Sequence, residues 1–194
     1  MRLLVFDTET TGLPKSRKSA YEGPNNWPHI VSISWVILDN NVIVKQASHI
    51  IKPRNWIVPA EATAIHGISH AKAEEGELLC DILYEFMSEN CDAIVAHNLK
   101  FDVNVMVNAF KWDLDIPFTG FTVPLLCSME KSSNLCKIPF PNGNGYKYPK
   151  LKELYYHIFR RYPDEQRLHT SIYDVIVLSE CIQHSSDLRK AMGI

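Results

Sequence analysis

The stretch Leu3-Leu4-Val5-Phe6-Asp7-Thr8-Glu9-Thr10-Thr11-Gly12-Leu13 decides how the rest of this chain reads. Its apolar, β-branched and aromatic residues predict a strand. Side chains two apart in a strand share a face, so Asp7 and Glu9 point one way and Thr8 the other. Two carboxylates held side by side repel each other and raise each other's pKa unless something positive sits between them. A divalent cation is the usual remedy, and carboxylate oxygens are ligands that Mg²⁺ and Mn²⁺ take. A surface strand with two acids on its polar face is the other reading of the same letters. The remainder of the chain has to choose.

A length of 194 residues suits one domain, 1–194, with a sizeable core. The hydrophobic share of 46% and charged share of 22% are those of a globular protein. Lys and Arg number 20 against 22 Asp and Glu, so no overall basic field announces a polyanion partner. A near-neutral enzyme can still place its cations locally. The cysteines, Cys80, Cys91, Cys127, Cys136 and Cys181, are odd in number and never spaced C-x-x-C, which reads as reduced thiols and not as a disulfide frame or zinc site. No stretch approaches the roughly 20 apolar residues of a membrane span. The first apolar run is short and leads into acids, unlike a secretory leader. The expectation is an intracellular, cytoplasmic protein with no membrane partner.

Around the opening stretch the chain is punctuated clearly. Pro14 to Pro28 is rich in Pro, Gly and Asn and reads as a surface loop, with Lys15, Arg17 and Lys18 as a small basic cluster. Ile30 to Leu38 and Val42 to Ile51 alternate on either side of Asp39-Asn40-Asn41, which predicts a hairpin and so an opening three-strand meander. Glu61 to Ile68 predicts a short helix stopped by Gly67. Glu77 to Ser88 has Leu78, Leu79, Ile82, Leu83 and Phe86 at helical spacing. Ala93 to Ala96 predicts a short buried strand and Leu99 to Phe110 a helix, with a further strand near Val123 to Leu126. Ser132 to Pro149 shows no period, while Lys150 to Arg160 and Ile172 to Gln183 predict helices. A meander followed by alternating strands and helices argues an α/β fold.

Two further acids stand where helices begin. In His97-Asn98-Leu99-Lys100-Phe101-Asp102 a buried strand hands over to a helix, which is where α/β folds place ligands. Asn98 reads as the N-cap, and Asp102 sits one turn in, where an acid also suits the helix dipole. In His169-Thr170-Ser171-Ile172-Tyr173-Asp174 the Ser171/Asp174 spacing has the form of a capping box. That places Asp174 in the first turn and His169 on the lead-in, so both can approach a common point.

Asp7-x-Glu9 with Thr10-Thr11-Gly12, then His97-Asn98-x-x-Phe101-Asp102, then His169-x-x-x-x-Asp174, come in the order and rough spacing of one family. The chain resembles the DEDDh 3′→5′ exonucleases, the group that includes the proofreading subunit of bacterial replicative polymerases. Glu61-Ala62-x-x-Ile65-His66-Gly67-Ile68 resembles that family's substrate loop. A related group has Tyr four residues before the last Asp; here that position is Thr170, and His169 lies five before, so the histidine subtype is favoured. Many relatives carry small or basic residues where Thr170 and Ser171 stand, and no family role attaches to 14–28 or 132–149.

The resemblance implies a ribonuclease H-like fold, a mixed five-stranded sheet flanked by helices. It implies two Mg²⁺ or Mn²⁺ ions held by Asp7, Glu9, Asp102 and Asp174. Asp7 would bridge both ions, Glu9 and Asp174 complete one, and Asp102 help hold the second, partly through water. His169 would be the general base, a task that suits an imidazole near neutral pH. Thr8, Thr10, Glu61, His66, Asn98 and Phe101 would contact the terminal nucleotide; a helix-end role for His66 reads equally well. The implied partner is a single-stranded 3′ end, DNA before RNA, with a polymerase or repair factor as a further one. An RNA-trimming exoribonuclease or oligoribonuclease, and a silent binding module of the same fold, are the alternatives. Trp27, Trp35 and Trp56 read as packing residues, and His29, His49, His70, His157 and His184 as ordinary.

Overall fold

Both faces of one strand are apolar, and the fold is built from what covers each. The computed structural model describes residues 1–194. The chain runs β1 (Arg2–Thr10), β2 (Ile30–Asp39), β3 (Val42–Ile50), α1 (Ala60–His66), α2 (His70–Glu74), α3 (Leu79–Ser88), β4 (Ala93–Ala96) and α4 (Leu99–Asn108). It continues through β5 (Leu125–Cys127), α5 (Ser128–Lys131), α6 (Ser133–Cys136), α7 (Leu151–Phe159), α8 (Ser171–His184) and α9 (Ser186–Met192). Leu4 and Phe6 of β1 join Ile33, Trp35, Phe86 and Met106 in one core; Leu3 and Val5 join Val95, Leu154, Val175 and Leu178 in the other. Alternation along β1 therefore feeds two layers of helices, one on each side of the sheet.

The sheet is five-stranded, in the order β3-β2-β1-β4-β5. β1 and β3 each run antiparallel to β2, and β4 runs parallel to both β1 and β5. This is the expected mixed sheet with its opening meander. Asn40 and Asn41 both take positive φ, 47° and 65°, as the twist of a two-residue hairpin demands. β4 pairs with β1 only at Leu3, Leu4 and Val5. The last residues of β1 consequently project past the end of β4, into a crevice where the chain turns away into α4.

Several boundaries differ from the sequence expectation, each for a local reason. The helix expected from Glu77 starts at Leu79, because the Glu77 N–H donates to the Ile50 carbonyl at 2.8 Å and so belongs to the sheet side. Leu78 is thereby left exposed and off the apolar face. The helix from Leu99 ends at Asn108 and widens into a π turn, Ala109–Asp113. The last strand is shifted to Leu125–Cys127, after Pro124. The loop 14–28 holds a 3₁₀ turn, Ala20–Glu22, fastened by the Ser19/Glu22 capping box. The Ala20 N–H also donates to Asn104 Oδ1 of α4 at 2.9 Å. Within 132–149, read as irregular, lie α6 and an antiparallel bridge between Pro139 and Tyr146. α2, α5 and α9, all short, have no counterpart in the sequence expectation. Trp27 and Trp35 are buried, as packing residues should be. No helix is long and apolar enough to cross a membrane.

Candidate active site

Asp7 and Glu9 continue the face of β1 that begins with Leu3 and Val5, so they meet the start of α8. What brings that helix close is a set of three serines. In the β1–β2 register Asp7 stands opposite Ser34 and Glu9 opposite Ser32. Ser171 Oγ, at the first turn of α8, lies 2.7 Å from Ser34 Oγ and 3.1 Å from Ser32 Oγ. All three are buried. Small hydroxyls that satisfy one another let helix and sheet approach without leaving an unpaired polar group. Ser171 therefore does not cap α8, contrary to the capping-box expectation: Thr170 holds the cap position and makes no side-chain cap bond. Ser171 is already the first helical residue, with its hydroxyl turned to the sheet.

The result is a close group of acids. Asp7, Glu9 and Asp174 each offer a carboxylate oxygen, and these atoms lie within 4.8 Å of one another. Asp102 arrives from the opposite face. It is 2% exposed and its Oδ1 accepts a 2.8 Å hydrogen bond from Thr8 Oγ1, which lies on the other side of β1 from Asp7. Thr8, expected against substrate, thus turns its side chain inward to hold an acid. Asn98 stands at the cap position of α4 in left-handed conformation, φ 78°, without a side-chain cap bond.

Burial raises all four carboxyls, and the charges of their neighbours raise Asp7 and Glu9 further. Asp7 is pushed well above the usual carboxylate range by desolvation, then by Asp102, Glu9 and Asp174. Glu9 rises to about 8 through burial and the charges of Asp174 and Asp102. Asp102 rises to about 7 by burial against the opposing Thr8 hydrogen bond, and Asp174 to about 6 by burial against the His169 N–H. No ion pair in the structure reaches any of the four. Asp174 Oδ1 is buried with no hydrogen-bond partner. A crowded, all-oxygen, uncompensated set with an orphaned acceptor fits a hard divalent cation.

His169 is exposed, at φ 65°, and its backbone N–H donates to Asp174 Oδ2 at 3.3 Å. Its side chain lines a cavity with Lys150, Leu151, Leu168 and Asp174. The lead-in loop therefore puts His169 beside the acid, joined to it through its backbone. His97, the other histidine before a helix, is tied at both ring nitrogens, to Ser128 Oγ at 3.0 Å and to the Pro149 carbonyl at 2.9 Å. Burial lowers its pKa to about 4, so it stays neutral, with Nε2–H donating to Pro149 and Nδ1 accepting from Ser128.

The remaining expected substrate contacts are mixed. Glu61 and Asn98 are exposed, and Phe101 is half-buried against Trp27 at 5.8 Å between ring centroids. Thr10 Oγ1 donates to the Gly12 carbonyl at 2.8 Å. His66 is 5% exposed, and its Nδ1 accepts the Ile68 N–H at 3.1 Å, so it neither bonds a helix-end carbonyl through that atom nor stands open. Ser32, Ser34, Ser171 and the clamp role of His97 were missed. The one available signal was a pair of hydroxyls two apart in the otherwise apolar strand from Ile30.

An exonuclease family model, RNase_T, matches residues 4–182. The chain is 30% identical over 153 residues to the 3′-5′ exonuclease DinG of Bacillus subtilis, covering 78% of this chain and 15% of that protein. It is 30% identical over 142 residues to DNA polymerase III subunit epsilon of Salmonella typhimurium, covering 72% of this chain and 55% of that one. It thus spans about half of the epsilon subunit and a smaller part of DinG. Among solved structures it is similar to exonuclease X in complex with 5′ overhanging duplex DNA, with a TM-score of 0.66 at 24% identity, covering 99% of this chain and 93% of that one. The nuclease domain of 3′hExo, a DEDDh family member, bound to rAMP, gives 0.70 at 11% identity, covering 94% and 90%. At such identities the structural likeness shows the fold.

Proposed function

The chain belongs to the exonuclease family that these comparisons identify, hydrolases of phosphodiester bonds, and from that premise we propose that it removes nucleotides stepwise from the 3′ end of nucleic acid. The products are nucleoside 5′-monophosphates. The observation that carries this reading is the carboxylate group of Asp7, Glu9 and Asp174, within 4.8 Å, with Asp102 reaching it from the other face. Asp7, Glu9 and Asp174, with Asp102 beside them, would hold the divalent ions, Mg²⁺ or Mn²⁺. Such ions supply Lewis-acid stabilisation of the charge that develops at phosphorus and on the leaving 3′ oxygen.

The chain's own side chains do the rest. His169 takes the proton of the attacking water; its place beside Asp174 and its exposed ring support that role. Thr8 keeps Asp102 aimed. The backbone of Thr11-Gly12 and the side chains of Glu61, His66, Asn98 and Phe101 border the terminal nucleotide. DNA is the favoured substrate, on the likeness to subunits named for DNA polymerase III and to a structure holding overhanging duplex DNA. RNA is the second reading, on the likeness in fold to a nuclease domain bound to rAMP. A replication or repair polymerase is the partner that the epsilon likeness suggests, and 1–194 acts as one exonuclease domain.

The test is a 5′-labelled single strand of DNA and one of RNA, each incubated with Mg²⁺, Mn²⁺ or EDTA, with Asp7→Ala as control. A descending ladder lost in EDTA and in the variant is the expected result. Labelled mononucleotide released at once, or internal cuts, overturns it. A protein that binds both strands and cuts neither is instead a silent module of this fold.

A further inference from the structure

The segment 137–150, between α6 and α7, is the largest feature that the acid cluster leaves without a task. It carries Lys137, Lys147 and Lys150 and no acid, in a chain of net charge −2. It is a built element. Pro139 and Tyr146 bridge antiparallel; the Phe140 N–H donates to the Gly145 carbonyl at 3.2 Å and the Lys147 N–H to the Ile138 carbonyl at 2.8 Å. Gly143, at φ 74°, makes the turn.

Its base is anchored to the candidate active site from two directions. Lys147 Nζ reaches the Glu153 carboxylate of α7 at 2.6 and 2.8 Å. The Pro149 carbonyl accepts the Nε2–H of His97, whose ring also bonds Ser128, so the hairpin is tied to the end of β4. Lys150 then lines the cavity that contains His169 and Asp174. Lys147 is turned toward Glu153, while the rings on either side of it, Tyr146 and Tyr148, stay in solvent. They are 42% and 57% exposed, and Phe140 at the tip is 44% exposed. Tyr148 is two residues from Lys150, at most about 7 Å along the chain.

Flat rings left in water, with cations and no acid on the same segment, complement one kind of ligand in particular. Unpaired bases offer π faces whatever the sequence, and the phosphates between them seek cations. We propose that Phe140, Tyr146 and Tyr148 form a stacking platform for the single-stranded bases upstream of the 3′-terminal nucleotide, with Lys137 and Lys150 on the backbone. This rests on the nuclease reading above. The platform lengthens the grip on the strand without reading sequence, so it governs affinity for long strands and not the chemistry at the end.

The experiment compares kcat/KM on a single strand of about 20 nucleotides and on a trinucleotide, for the wild type, Tyr146→Ala, Tyr148→Ala, the double variant, and Tyr148→Phe. The ratio of long to short substrate falls about tenfold per ring removed. Tyr148→Phe restores it, because stacking uses the ring and not the hydroxyl. A ratio unmoved in the double variant, or equal losses on both lengths, overturns the platform while leaving the nuclease intact. If the wild type cuts neither strand, the nuclease reading fails alone: fluorescence anisotropy of the labelled long strand still tests the platform, and unchanged binding in the double variant overturns it. A dimer in wild-type sedimentation that the tyrosine variants abolish, with strand binding unchanged, reassigns the surface to a second copy and overturns it too.

Discussion

Two helices in this fold begin alike on paper and differently in space. His97 precedes Asp102 by five residues (102 − 97) and His169 precedes Asp174 by five (174 − 169). Each lead-in contains one residue with left-handed backbone, Asn98 at φ 78° and His169 at φ 65°. At α4 the histidine is held at both ring nitrogens and the acid is fully buried, bonded to Thr8. At α8 the histidine is exposed and the acid keeps one oxygen without a partner. The same spacing yields a strut in one place and a free imidazole in the other. What separates them is whether a third segment covers the lead-in: Pro149 closes over His97, and nothing hydrogen-bonds to the ring of His169.

That contrast can be broken most sharply at His169. Removing a general base costs about 10²–10⁴-fold in turnover, so His169→Ala should lose that much kcat. Its thermal midpoint should stay close to wild type, since an exposed substitution stays within about 0.5 kcal/mol. Metal binding by titration calorimetry should survive. Loss of metal binding together with turnover removes His169 from the base role.

The reverse pattern is expected at His97. His97→Ala strands the Pro149 carbonyl, a cost of about 1–3 kcal/mol. Each kcal/mol lowers the melting temperature by about 2–4 °C in a chain of this size. Calorimetric scans should show the drop, while kcat falls by less than in His169→Ala. A His97 variant as stable as wild type but inactive erases the distinction between strut and base.

A smaller effect sharpens the acid side of the comparison. The folded cluster holds protons, with Glu9 at about 8, Asp102 at about 7 and Asp174 at about 6, that unfolded carboxyls near about 4 have already released. The stability from the protonated cluster is full below about pH 4 and is lost as pH rises to about 8. In EDTA, the melting temperature should therefore fall between about pH 5 and pH 8. Added Mn²⁺ should raise it more at the upper end. A flat metal-free profile is the outcome that refutes the crowding of these acids.

The smallest expected change is at the docking of α8. Ser171→Ala removes hydrogen bonds to Ser32 and Ser34 and should cost about 1 kcal/mol in urea denaturation. A helix cap lost at that position would instead leave the two strand serines unaffected in hydroxyl exchange.

Much of this was legible in the chain because it was local. Alternation put Asp7 and Glu9 on one face, Asp39-Asn40-Asn41 marked its hairpin, and Gly67 ended its helix at φ 76°. The convergence of Asp7, Glu9, Asp102, His169 and Asp174 was implied only by the family resemblance that their order carries, which periodicity could not supply. What stayed hidden depends on distant partners. Ser171 spells a capping box as well as it spells a contact with Ser34, and only the packing of α8 on β2 chooses between them. His97 finds its second hydrogen-bond partner at Pro149, 52 residues away, beyond any local window. Thr8 was placed correctly opposite Asp7, yet its bond to Asp102 needed the crossover to α4 to be known.

The three serines under α8 have a consequence of scale. At this end of the sheet the gap between strand and helix is set by hydroxyl-to-hydroxyl contacts of 2.7 and 3.1 Å, where elsewhere valine and leucine side chains fill it. Asp174 rides on that helix, and Asp7 and Glu9 ride on β1, paired beside that strand opposite the same serines. The serines therefore act as a calliper on the oxygen cage. Mg²⁺ demands oxygens at about 2.0–2.1 Å, and Ca²⁺ accepts about 2.3–2.6 Å. A side chain one methyl larger at Ser34 would press α8 outward and open the calliper, widening the spacing between Asp174 and the acids of β1.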